Sequence, residues 1–189
     1  MQIVLNNQNG HLVIEKAVTA LEKGGIVIYP SDTTYGIAVD STNPVALDKL
    51  EKIKGRRSDQ KFSYNFSDLD MVEKFAEPSD DQVKILKQYL PGPYTFILSA
   101  DISIRIPKST IITDITKSFG KPTTATSANQ TGYPPATSIK NLDAKIYLAA
   151  DLIIEDLTFE AKSPSTIIDL SGPSAKVVRE GEFPFPRKK

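Results

Sequence analysis

Short apolar runs, most of them stopped by proline, glycine or a charged residue, set the tightest limit on what this chain can fold into. IVIYP, IAVD, TFIL, DLIIE, STIIDL and KVVRE are the clearest. Runs this short make buried strands, and none approaches the ~18 apolar residues of a membrane helix. Segments of helical period lie between several of them. HLVIEKAVTALEKGG sets Ile14, Val18 and Leu21 on one face and ends at Gly24 and Gly25. Asn43 before Pro44 reads as a cap and first-turn proline for a helix through Leu47, Leu50 and Ile53. Ser79 with Gln82 reads as a capping box for a helix through Val83, Leu86 and Leu90. FSYNF and ISIRIP alternate cleanly, a further helix ends near Gly120, and TTAT is a strand. Helices and strands interleave, yet several strands follow one another directly. The expectation is an α/β fold, a single domain with a twisted mixed sheet. The domain is placed at residues 1–183, with 184–189 as a flexible basic tail.

Composition narrows the chemistry. The 189 residues include no cysteine and one histidine, His11. That excludes disulfides, thiolate nucleophiles, zinc fingers and multi-histidine metal sites. The 23 basic and 23 acidic residues balance, which argues against holding nucleic acid by bulk positive charge. The start, MQIVLNNQNG, lacks the pattern of a signal peptide, so the expected setting is cytoplasmic, without a membrane.

Four places combine polar side chains with strand ends. PSDTTYG follows IVIYP. Residues 49–61 gather Lys49, Lys52, Lys54, Arg56, Arg57 and Lys61 against Glu51 and Asp59. Thr126, Ser127, Ala128 and Asn129 lead into a proline-rich turn. Ser165, Thr166 and Arg179 border the last strands. Arg105 is a fifth oddity, alternating with Ile104 and Ile106, so it is either solvent-facing or lining a pocket. Guanidinium forks suit phosphate and carboxylate. Taken singly, solvated turns and a helix end with cations near its dipole explain these residues as well. His11 reads as a surface residue, and alternating Phe62, Tyr64 and Phe66 as packing.

Together, GGIVIYPSDTTYGIAVD, the KGR loop, LPGPYTFIL, IRIP, TSANQTGYPP, STIIDL and VVREG resemble the YrdC-like threonylcarbamoyl-AMP synthases. The likeness runs from about Gly24 to Gly181 and includes the family's Lys-x-Arg, Lys54 and Arg56, with its Ser-x-Asn, Ser127 and Asn129. It implies a twisted sheet around a concave basic cavity. It implies synthesis of threonylcarbamoyl-AMP and pyrophosphate from L-threonine, bicarbonate and ATP, with Mg²⁺ accompanying ATP. A partner transferase complex would then modify tRNA. Lys54 and Arg56 fall on catalytic positions. Lys54, Arg56, Gln60, Ser127, Asn129 and Arg179 fall on nucleotide-binding ones. Thr33, Asn65, Arg105 and Ser165 fall on threonine-binding ones, and no metal ligand is implied. Relatives usually read KGRP and carry a later histidine; here Arg57 and Lys61 replace prolines, Gln60 an asparagine and Asn65 the histidine. Asparagine can hydrogen-bond there but does not titrate near neutrality. Two other functions fit the same residues. One is a non-catalytic module binding double-stranded RNA or tRNA. The other is a family member activating a different amino acid or carbamoyl compound.

Overall fold

The protein is described by a computed structural model covering residues 1–55, 61–108, 110–181 and 183–186. In chain order the elements are β1 (Gln2–Val4), α1 (Gly10–Glu22), β2 (Val27–Pro30), β3 (Tyr35–Ala38), α2 (Pro44–Lys54), β4 (Ser63–Asn65), α3 (Leu69–Ala76) and α4 (Asp80–Tyr89). They continue with β5 (Tyr94–Ile97), β6 (Ser103–Arg105), α5 (Thr110–Phe119), β7 (Thr123–Ser127), α6 (Ala144–Ala149), β8 (Leu152–Glu155), β9 (Thr166–Asp169) and β10 (Lys176–Arg179). Among the described residues the strands form one sheet in the order β1-β8-β2-β3-β7-β4-β6-β5-β9-β10. Parallel and antiparallel pairs mix, as the interleaved pattern predicts.

Local sequence explains the helix starts. Asn43 accepts from the Val45 and Ala46 amides, and Pro44 opens α2. Ser79 and Gln82 close a reciprocal capping box on α4, and Gln82 Nε2 also donates to the Leu98 and Leu170 carbonyls. On α1 the buried stripe is Val13, Ala17 and Leu21, so Ile14 and Val18 flank it rather than centre it. Helix α3, capped by Asp68, and the short β1 and α6 were not anticipated. The segment after Phe183 is also placed: the Phe185 ring lies 4.8 Å from that of Tyr89 and packs on Tyr94 and Phe96. Residues 187–189 lie outside the described residues.

Period-two alternation divides the sheet into two faces. On one face, Ile28 and Ile37 pack with Ala46 and Leu50 of α2 and Ile146 of α6. Further along, Phe96, Ile104 and Ile168 pack with Val72 of α3 and Leu86 of α4. On the other face, α1 and α5 cover Val27, Tyr29, Ala38, Leu152 and Ile154. Strand pairing carries that second face across the sheet. Tyr29 sits opposite Gly36, Gly36 opposite Ser127, Ser63 opposite Ala125, and Asn65 opposite Arg105. Thr95 and Arg179 both sit opposite Ile167. Small and polar side chains therefore pave the middle of this face.

Gly36 is required by a close approach. A Cβ there would lie 2.5 Å from Cζ and 2.7 Å from Oη of Tyr29, whose ring crosses that strand. Overpacking of this kind costs about 1–3 kcal/mol. Gly36→Ala should lower the unfolding free energy by that amount in urea titration; unchanged stability would contradict the packing of Tyr29 over β3.

Candidate functional site

The paved face forms a cavity of about 220 Å³. Its wall includes Tyr29, Thr33, Thr95, Arg105, Ser127, Ser165 and Arg179. Four of the sequence's five candidate places thus meet in one hollow.

The turn after β2 is built by its own hydroxyls. Ser31 Oγ donates to the Thr34 carbonyl at 2.7 Å and lies 3.1 Å from Thr33 Oγ1. Both side chains are buried, which holds Thr33 at the wall. The same turn brings Asp32 to Arg105, with Nη2 to Oδ1 at 2.5 Å. Both side chains are only 11% exposed, so this pair is shielded from screening. Asp32 also accepts from the Lys108 amide at 3.1 Å. Arg105 Nε is buried, with no partner among the described residues.

Across the cavity, Arg179 donates from Nε and Nη2 to the Ser165 carbonyl, at 3.2 and 2.8 Å. Ser165 Oγ lies 2.9 Å from Thr95 Oγ1. Burial, and then repulsion from Arg105, pull the Arg179 guanidinium below its ordinary value. Two cations share the hollow with one nearby carboxylate, Asp32. That is an electrostatic setting for anions.

The Ser127–Asn129 loop is held from behind. Lys54 is 4% exposed, and its Nζ donates to the Ser127 and Asn129 carbonyls at 2.7 and 2.8 Å. Lys54 therefore supports the loop and does not line the cavity wall. Ser127 Oγ donates to Asn129 Oδ1, and Asn129 Nδ2 to the Gln130 carbonyl at 3.0 Å. Asn129 faces a second hollow with Gln130, Tyr133 and Asp143, and Pro135 borders both.

The rest of the basic stretch disperses. Lys52 pairs with Asp48, Lys61 with Asp101, and Lys49 reaches the Gly24 carbonyl. Arg56, Arg57 and Gln60 lie outside the described residues. Asn65 is buried beneath Tyr29 and does not line the wall. His11 is exposed, and Phe62 and Phe66 are core, as expected. Thr95, Ser63 and the Asp32 partnership were missed. Thr95 and Ser63 do carry a signal: each is a small polar residue alternating with core aromatics.

Lys54→Met keeps the stem and removes one donor from each carbonyl, of which that of Ser127 still accepts from the Asn129 amide. The expected loss is about 1–3 kcal/mol, with faster hydrogen exchange over residues 126–135. Unchanged exchange there would rule out the loop-holding role.

Comparison with known proteins converges on one family. A sequence model described as Sua5/YciO/YrdC, telomere recombination, matches residues 19–181. A Methanocaldococcus jannaschii protein provisionally named threonylcarbamoyl-AMP synthase is 32% identical over 192 residues, covering 96% of this chain and 91% of that protein. Threonylcarbamoyl-AMP synthase of Photobacterium profundum is 27% identical over 184 residues, covering 89% and 98%. The crystal structure of E. coli YciO superposes with a TM-score of 0.84 at 25% identity, covering 96% of this chain and 95% of that one. With the family match spanning most of its length and the same fold in YciO, this chain belongs to the Sua5/YciO/YrdC family.

Proposed function

We propose that the chain is a threonylcarbamoyl-AMP synthase, a nucleotidyltransferase making threonylcarbamoyl-AMP and pyrophosphate from L-threonine, bicarbonate and ATP. The observation that carries the reading is the pair Arg105 and Arg179 on one hydroxyl-rich wall. Relatives bearing that activity's name support it.

In this reading Arg105 takes the threonine carboxylate, and Thr33 and Ser165 contact the rest of the amino acid. Asp32 keeps the Arg105 fork oriented until a substrate carboxylate engages it. The nucleotide lies across the Ser127–Asn129 loop, with Arg179 on its phosphates. Lys54 takes part through the loop it holds, and Arg56 and Gln60 enter only through the resemblance. The threonine amine attacks the carbon of bicarbonate, forming N-carboxythreonine and releasing water. An oxygen of the new carboxylate then attacks the α-phosphorus of ATP. The bond from that phosphorus to the bridging oxygen breaks, and pyrophosphate leaves with the electron pair.

No side-chain nucleophile is needed. The protein supplies orientation and positive charge where negative charge gathers. In this reading Mg²⁺ enters on the ATP phosphates. The reading includes a cytoplasmic setting and a partner transferase that carries the product to tRNA. No helix among the described residues is long and apolar enough to cross a membrane.

Pyrophosphate release should require both L-threonine and bicarbonate. Arg105→Ala should reduce kcat/KM for threonine by roughly 100-fold, and Arg179→Ala should act mainly on ATP. Release that ignores threonine, with another amino acid replacing it in a panel, would redirect the reading to a different substrate. Tight tRNA binding at physiological salt with no ATP turnover would replace it with the RNA-binding module.

A further inference from the structure

Tyr29 is a wall residue whose hydrogen bonding is incomplete in a directed way. Its ring lies over Gly36, and the residue is 2% exposed. Its Oη accepts from Asn65 Nδ2 at 2.8 Å. The same nitrogen donates to the Thr124 carbonyl at 3.0 Å. A carbonyl only accepts, so Thr124 decides which end of the Asn65 amide is nitrogen. That nitrogen leaves Oη as the acceptor, and the phenolic proton must go elsewhere. The arrangement is kept although Asn65 Oδ1 is left buried with no partner among the described residues. Among the described residues no acceptor takes the Tyr29 proton.

Two further facts locate that proton. Asn65 is the direct cross-strand partner of Arg105, so the hydroxyl stands on the Arg105 side of the cavity floor. Burial also pushes the phenol up from its ordinary value, against the pull of Arg105, so it stays protonated at neutral pH.

We propose that Tyr29 is a substrate-binding residue whose hydroxyl donates to a carboxylate-type oxygen seated beside Arg105, and that Asn65 is the positioning residue that aims it. The inference rests on the amino-acid-activating reading and names a second contact for its anionic substrate. A neutral donor beside the guanidinium adds direction without a third positive charge. It also gives Asn65 a part that needs no titration: it orients the phenol, and the phenol touches the substrate.

The test uses the full chain carrying tyrosine labelled with ¹³C at Cζ, with L-threonine and sodium acetate as probes. The Tyr29 Cζ resonance should move as either carboxylate is added. Tyr29→Phe should raise KM for L-threonine about tenfold with a smaller change in kcat. Asn65→Leu should match it, the double variant should be no worse than the poorer single, and Asn65→His, which keeps an N–H donor, should recover most of the loss. No shift with either probe, or a Tyr29→Phe protein with wild-type KM, would overturn the proposal. Should Asn65→Leu fail to fold, the resonance and Tyr29→Phe still decide. Threonine-dependent pyrophosphate release with no resonance shift sinks this inference and spares the synthase reading. An acetate-induced shift without threonine-dependent release does the reverse.

Discussion

Arg105 and Arg179 bring two like charges to one hollow, and the rest of the site is arranged around that pair. Shielding the Arg105 guanidinium from water without a partner would be costly, and Asp32 holds it, while Arg179, on an exposed stretch of β10, rests on the Ser165 carbonyl. Asp32 gives Arg105 a full counter-charge, and the Ser165 carbonyl gives Arg179 only a dipole. The cavity therefore keeps an excess of positive charge at short range. An incoming carboxylate or phosphate relieves the repulsion as it binds. That relief comes with binding, before any chemistry begins, which suits a reaction whose nucleophile comes from the substrates.

The sheet makes this arrangement possible. A strand shows alternate residues to opposite faces, so one register decides what a whole row of strands presents. Here one face is covered by helices near both ends of the strand order, and the other near β1, β8, β2 and β3, with α5 also touching the start of β7 through Thr116 and Thr123. The uncovered stretch carries Ser63, Ala125, Ser127 and Thr95 rather than large apolar residues. Shifting one strand by a residue would turn Arg105 towards Ile104's packed surroundings and empty the wall.

Much of the fold was legible because its signals are local. Asn43 with Pro44, and Ser79 with Gln82, announce helix starts through hydrogen bonds made within a few residues. The alternation around Arg105 announces two faces. The site was legible only in part, because pairing of distant strands decides which polar residues meet. Arg179 and Ser165 read as edge residues until β9 and β10 pair. Lys54 reads as a cation for phosphate, and burial instead turns it onto two carbonyls. Asp32 reads as a turn former, and its partnership with Arg105 spans 73 residues of sequence. Helix α3 is only eight residues long, so its buried pair Val72 and Ala76 falls short of the window in which a helical period stands out from sequence.

The account stands most directly on a crystal structure of the chain with L-threonine and a non-hydrolysable ATP analogue. It predicts the amino-acid carboxylate on Arg105, the phosphates within reach of Arg179, and the nucleoside across the Ser127–Asn129 loop. Both ligands seated away from the two arginines, with the Asp32–Arg105 pair untouched, would contradict it.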